Sequence, residues 1–234
     1  MKKTLFCLLL VFCLTGCMGS KAPLYGVHPK AKTAELKYSG IGLTSDFELE
    51  NIATGTYKSI GYQAGLIYYA GAQNIDLTIK AAQKWKLSAE CKRQAFALPS
   101  IGMRLHNPYV AIITRKGRVI GNIGISMPDI DAKSELLEQV GLDSLVHTNL
   151  TLSGGANILG KRYKLASVFK DEKGKAHGSP LGYKVTRGNK TLGVVRVGEN
   201  MFGGATMTVW LRPGLSPIVE QSVVTMLLLS GYAI

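Results

Sequence analysis

The chain has 234 residues, with 28 Lys and Arg against 15 Asp and Glu and a formal charge of +13 at pH 7. Its 46% hydrophobic and 18% charged content is that of a globular chain with a sizeable core, which excludes disorder over most of its length. A basic excess of this size points to a polyanion, nucleic acid first, and the compartment decides which one.

The N-terminus bears on the compartment. Met1-Lys2-Lys3-Thr4 is a short positive opening, and Leu5 to Leu14 is apolar apart from the thiols of Cys7 and Cys13. A run of that length suits the core of a signal peptide, whereas a membrane-spanning helix needs about twenty apolar residues. Leu14-Thr15-Gly16-Cys17 follows. The tetrad resembles the lipobox of bacterial lipoprotein precursors in order and spacing; the resemblance covers only the first twenty residues or so, and no family is recognised for the remainder. It implies a signal peptide over 1–16, cleavage before Cys17, a diacylglyceryl thioether on Cys17 and acylation, typically palmitate, of the new amine. It also implies an exported protein facing the periplasm, held on a membrane by lipid. Met18 is not the aspartate that retains such proteins in an inner membrane, which favours the outer membrane of a diderm cell. The competing readings are a transmembrane anchor, or cleavage elsewhere with Cys17 incidental.

Removing residues 1–16 takes away Lys2 and Lys3 and leaves 26 basic against 15 acidic residues, +11. An exported chain meets little nucleic acid. Anionic lipid, lipopolysaccharide and wall polymers are the nearer partners, against the plainer reading of solvated lysines at strand ends. Cys91 is the one thiol left besides Cys17, so no disulfide can form within the mature chain.

Residues 17–33 read as an acylated N-terminus and flexible tether broken by Pro23, Gly26 and Pro29. Residues 34–234 read as one globular domain, or two subdomains with a break near 100. Ile75–Lys80 and Lys84–Leu87 alternate as strands. Residues 57–71 fit either a glycine-weakened helix or a strand. Two hairpins follow, Tyr109–Thr114 with Val119–Ser126 around Arg115-Lys116-Gly117-Arg118, and Tyr183–Thr186 with Thr191–Val197 around Arg187-Gly188-Asn189-Lys190. They align at an offset of 72 through Pro108/Pro180, Thr114/Thr186, Arg115/Arg187 and Gly121/Gly193, as a duplicated unit or as two ordinary basic-tipped hairpins. Asp131 caps an expected helix over 132–140, and Ser216-Pro217 opens another with Val219, Val223, Met226 and Leu227 at helical spacing. The expected fold is therefore α+β: a mostly antiparallel, hairpin-rich sheet with at least two packed helices.

No chemistry announces itself. His28, His106, His147 and His177 lie far apart with no ligand partner at helical spacing, so neither a metal nor a cofactor is expected. Gly124-Ile-Ser-Met-Pro128 is not a nucleophile elbow. Cys91, beside Lys92 and Arg93, reads as a structural cysteine more readily than as a nucleophile. The acids Asp129, Asp131, Glu135, Glu138 and Asp143 suit a helix N-terminal turn better than a cation site. The glycine-rich spots Ser153–Gly155 and Gly198–Gly204 suit β-loops better than anion cradles. The favoured function is non-enzymatic: an envelope lipoprotein that assists assembly of a protein complex or binds an anionic envelope component. The rival is a hydrolase or transferase with a site built from separated loops. The candidate anion-binding residues are Arg115, Lys116, Arg118, Arg187 and Lys190.

Overall fold

A computed structural model describes residues 22–39, 44–64, 68–98, 101–106, 109–126, 153–178, 180–199 and 205–232. The strands are β1 (Lys32–Ser39), β2 (Thr44–Leu49), β3 (Ala53–Ala64), β4 (Tyr68–Lys80), β5 (Lys84–Leu98), β6 (Ile101–His106), β7 (Tyr109–Arg115), β8 (Arg118–Ser126), β9 (Ser153–Ile158), β10 (Lys161–Val168), β11 (Gly182–Arg187), β12 (Lys190–Glu199) and β13 (Ala205–Leu211). One helix, α1 (Pro217–Tyr232), follows them.

Every pairing is antiparallel, and the order β4-β3-β2-β1-β13-β12-β11-β10-β9-β8-β7-β5 closes on itself because β5 also pairs with β4. Twelve strands thus form a barrel, and β6 extends the far edge of β5 beyond β7. This corrects the expected α+β fold. The molecule is a closed β-barrel, and α1 is the one helix among the described residues. The helix expected at 132–140 lies outside those residues. Of the segment 57–71, undecided by pattern, residues 57–64 belong to β3 and 68–71 to β4, the two strands pairing from Thr54↔Lys80 to Ala64↔Ala70. β5, before residue 100, pairs with β7, after it, from Lys86↔Thr114 to Glu90↔Val110.

Alternation explains the wall. Ile75, Leu77 and Ile79 of β4, Trp85, Leu87 and Ala89 of β5, and Ala111 and Ile113 of β7 turn inward and are buried, while Asp76, Lys84, Lys86, Ser88 and Glu90 between them are exposed. Over these residues the inner side is apolar, and the outer side is polar on β4 and β5 but apolar at Val110 and Ile112 of β7. The lumen is filled by α1. Val223, Val224, Met226, Leu227, Leu228 and Leu229 share one core with the inward side chains of the strands, and even Gln221, Ser222, Thr225 and Ser230 are buried. A helix covered on every side, in a chain whose described strands form one closed wall, sits within that wall. This accounts for the absence of a polar face over residues 221–231. Gly193 permits the close approach, for a Cβ there would lie 2.6 Å from Val223 Cγ1. No described helix is long and apolar enough to cross a membrane.

The strands run up and down, so the connections divide between two ends. At one, here the hairpin end, lie the short turns 50–52, 81–83, 116–117, 159–160 and 188–189 and the start of α1. The segment 153–155 is the start of β9 rather than a loop.

The stretch expected to be a flexible tether is seated over its second half. Leu24 is 2% exposed and packs with Val168, Val194 and Trp210 on the outer wall, joined by Val27 and Ala31. Arg196 Nη1 donates to the Ala22 carbonyl at 2.8 Å, Tyr25 N donates to the Lys170 carbonyl at 3.2 Å, and the Lys170 ammonium stands 5.4 Å from the Tyr25 ring centre.

Candidate functional site: a basic cleft at the hairpin end

The sequence marks two basic tips, and the topology sets both at the same end of the barrel. It also adds two more. Going round the wall from β4, the turns of β4–β5, β7–β8, β9–β10 and β11–β12 are successive neighbours. The stretches that form them, 80–86, 114–119, 158–162 and 186–191, contain Lys80, Lys84, Lys86, Arg115, Lys116, Arg118, Lys161, Arg162, Arg187 and Lys190 and no acid. Three of these hairpins close on a like-charged pair directly across the strands: Lys80↔Lys84, Arg115↔Arg118 and Arg187↔Lys190. Like charges in that relation are destabilising. Hairpin stability does not account for that choice at three separate tips.

Between the β4–β5 and β7–β8 turns is an open cleft of about 920 Å³, lined by Gln83, Lys84, Lys86, Thr114, Arg115, Lys116 and Gly117. β5 and β7 are neighbours in register Lys86↔Thr114, which brings the two lysines of β5 alongside Arg115. The lining holds four cations and no carboxylate, histidine or cysteine. It can hold an anion, and it offers no nucleophile–base pair and no metal ligand set.

The cleft is braced from inside the barrel. Gln221, 1% exposed on the first turns of α1, accepts from Gln83 N at 2.9 Å and donates its Nε2 to the Gln83 carbonyl at 2.7 Å. The Gln83 side chain in turn accepts from Arg115 Nη1 at 2.7 Å and lies 3.5 Å from Trp85 Nε1. One buried amide thus fixes the turn, and the turn fixes the guanidinium. Nothing in the sequence signalled this: a glutamine in an apolar helix and another in a turn 138 residues away carry no pattern that joins them.

The tip of β7–β8 is itself unusual. Lys116 has φ 49° and Gly117 φ 77°, a turn left-handed at both central positions, where Asn-Gly is preferred. Holding a lysine there costs about 1 kcal/mol, since Cβ crowds the following carbonyl. The β11–β12 tip differs, with only Gly188 left-handed at φ 57°. Both hairpins do share a register shift at the equivalent place, Ile113/Thr114 and Val185/Thr186.

The remaining sequence candidates lie elsewhere. Cys17 and the acids at 129–143 are outside the described residues. Cys91 is on β5 opposite Gln73. His177 is bound to Asp171 at 3.1 Å in the β10–β11 loop, at the opposite end, and His28 Nδ1 accepts from Lys30 N. The Asp171 carboxyl is held below its ordinary range chiefly by the His177 hydrogen bond, aided by the amides of Lys173 and Lys175. No group of three His, Cys, Asp or Glu among the described residues could hold a metal. No protein-family model matches the chain, and no curated protein or solved structure does either.

Proposed function

We propose that the chain is a lipid-anchored, non-enzymatic envelope protein that binds an anionic component of the envelope at its hairpin end. The observation that carries the binding half is the closure of three hairpins at one end on basic cross-strand pairs, in stretches with no acid. An anionic ligand offsets that repulsion, and arginine adds bidentate contacts to phosphate or carboxylate. The lipobox at Leu14–Cys17 supports the anchoring half. Its test is mass spectrometry of the mature N-terminus, with Cys17→Ser expected to accumulate as full-length precursor. An unmodified N-terminus at any other residue refutes it.

The binding test uses the chain without acyl groups and a polyanion such as polyglutamate across a salt series. Affinity should fall as salt rises, because the contacts are exposed and the screening length shortens from about 10 Å at 0.1 M to about 3 Å at 1 M. Neutralising Lys84, Lys86, Arg115 and Lys116 together should lower it about tenfold or more at low salt, at a few tenths to 1 kcal/mol per contact. Affinity that ignores both salt and substitution returns the charge to solubility.

One observation favours a protein partner as a second reading. Val110, Ile112 and Val119, on β7 and β8 just behind the basic tip, are 58%, 47% and 68% exposed. Apolar side chains beside cations suit a contact in an envelope assembly.

A further inference from the structure

The basic tips carry apolar residues among their cations. Ala81 and Ala82 are exposed in the β4–β5 turn, Val119 is 68% exposed beside Arg118, and Leu159 is 38% exposed in the β9–β10 turn, just before Lys161 and Arg162. The backbone sets Leu159 apart. Its φ is 50°, a left-handed conformation that suits Asn or Gly and is rare for a bulky side chain. The neighbouring tip, β7–β8, holds Lys116 in the same conformation at φ 49°. Two adjacent turns thus keep strained residues at their exposed points, one a cation and the other aliphatic. Neither residue helps its turn to form, and strain of this kind gathers where a surface has work to do.

A dissolved anion has a use for the cations and none for Leu159 or Val119. The head-group layer of a bilayer has a use for both, since it sets phosphates at its surface and accepts apolar side chains just beneath them. We infer that the hairpin end rests on the anionic head groups of the bilayer that anchors Cys17, with Lys116 and the neighbouring cations on lipid phosphates and with Leu159 and Val119 dipping below them. The inference deepens, and rests on, the readings of the tips as an anion site and of Cys17 as acylated. The β2–β3 turn of the same end carries Glu50, so the barrel leans onto the arc of tips from β4–β5 to β11–β12.

The tether permits this placement. Ala22 is held by Arg196 of β12, the strand that begins at the β11–β12 tip. The six residues from Lys190 to Arg196 rise about 15 Å along the axis, at about 3.3 Å per residue and a tilt of about 40°. Five Cα–Cα steps join Cys17 to Ala22 and span at most about 19 Å at 3.8 Å each. A barrel standing on its hairpin end therefore leaves Cys17 within reach of the surface. Anchoring also makes an open site sufficient. Each exposed cation contributes little by itself, but a tether this short presents the tips to the lipid at an effective concentration on the order of millimolar. The ten basic residues of the four turn stretches then act together.

The experiment has two arms. In the first, the chain without acyl groups is partitioned onto vesicles of phosphatidylcholine, alone or with about 30% phosphatidylglycerol, and polyglutamate binding is measured on the same protein. The anionic vesicles should bind it at least about tenfold more tightly than the neutral ones at low salt. Leu159→Asn should weaken that partition about fivefold or more, through loss of one partly buried aliphatic side chain, while affinity for polyglutamate holds within about twofold. The substitution eases a left-handed turn, so a weaker partition is not a failure to fold. In the second arm, the acylated chain sits in its own vesicles with brominated phosphatidylglycerol, and Leu159→Trp is compared with Ser39→Trp at the opposite end of the barrel, after subtraction of the buried Trp85 and Trp210. Quenching should be strong at 159 and weak at 39. Polyglutamate binding without vesicle binding overturns the membrane inference and leaves the anion site to a dissolved polymer. Partition indifferent to Leu159→Asn, or quenching at 39 in place of 159, overturns it as well. Loss of both kinds of binding overturns the anion site itself, and absence of lipid on Cys17 overturns the bilayer named as partner.

Discussion

Lys116 offers a perturbation whose two effects run in opposite directions. Its φ of 49° places a side chain with a Cβ where Asn or Gly is at ease. Lys116→Asn should relieve part of the ~1–2 kcal/mol left-handed penalty and stabilise the fold by about 0.5–1 kcal/mol. For a domain of this size that raises Tm by roughly 1–4 °C, read by thermal unfolding. The same change removes one of the four cations lining the cleft, so affinity for a polyanion should drop about two- to fivefold at low salt, the value of one exposed contact. Leu159 is the internal control. It has φ 50° at the neighbouring β9–β10 tip, is followed by Gly160 at φ 74°, and carries no charge. Leu159→Asn should give a similar gain in stability with no loss of affinity. Unchanged or lowered stability in Lys116→Asn refutes the strain argument. Unchanged affinity removes Lys116 from the binding surface and leaves its conformation without a functional reason.

Further outcomes follow from other parts of the structure. Gln221→Leu strips both side-chain hydrogen bonds from the Gln83 backbone; we expect a loss of about 1–2 kcal/mol, limited because the turn is half-exposed, and weaker anion binding as Arg115 loosens. Thr225→Val, whose hydroxyl bonds only its own helix at Gln221 O, should leave anion binding unchanged and so isolates the clamp from general damage to α1. The buried Tyr163 hydroxyl has no hydrogen-bond partner among the described residues, so Tyr163→Phe should be neutral or stabilising by about 1 kcal/mol in urea unfolding, and a clear loss would reveal a partner. Burial pushes the Tyr183 phenol up to about 12 from 10, so its contribution to stability is complete below pH 10 and is lost as pH rises through 12; a phenolate titrating near pH 10 in the folded protein, by ultraviolet absorbance, would contradict this. Asp171 moves the other way, and its bonds to the Lys173 and Lys175 amides should persist at pH 4 and fail only below its ordinary value of 3.8, which the chemical shifts of those amides report.

Period-two alternation made β4, β5, β7, β8, β11 and β12 legible, and with them the two tips at Arg115–Arg118 and Arg187–Lys190. What alternation cannot show is closure. The β4–β5 and β5–β7 ladders that join the ends of the sheet are ordinary antiparallel pairings in which nothing local says that one strand must serve both neighbours. Residues 57–71 stayed ambiguous because Gly61, Gly65 and Gly71 dilute either period, and the partner that settles them, β4, is recognised only in three dimensions. The spacing of Val219, Val223, Met226 and Leu227 gives the C-terminal helix, but not its place inside a closed wall. Gln221, Ser222, Thr225 and Ser230 imitate a polar face, yet the last three turn their hydroxyls back onto α1's own carbonyls and are buried with the rest. The Gln221–Gln83 clamp stayed hidden for the same reason: its meaning depends on the helix standing in the lumen.

The arrangement of charge argues against solubility as its whole explanation. Solubility needs a net charge and is served as well by cations mixed among anions as by cations set apart. Here the described acids are Glu35, Asp46, Glu48 and Glu50 on and beside β1 and β2, where Lys37 meets Glu50 at 3.0 Å, Asp76 and Glu90 in the middle of β4 and β5, Asp171 and Glu172 in the β10–β11 loop, Glu199 at the end of β12 and Glu220 at the start of α1. The arc of tips from β4–β5 to β11–β12 has none. Neighbouring tips at roughly 10–12 Å lie at about the screening length in dilute salt and partly outside it at physiological strength. Their mutual repulsion is therefore mild enough for a plugged, closed barrel to hold them in place, and large enough to be relieved by a ligand that spans several. A rigid wall filled by its own helix gives such a ligand a fixed row of cations, so little ordering of the protein opposes binding.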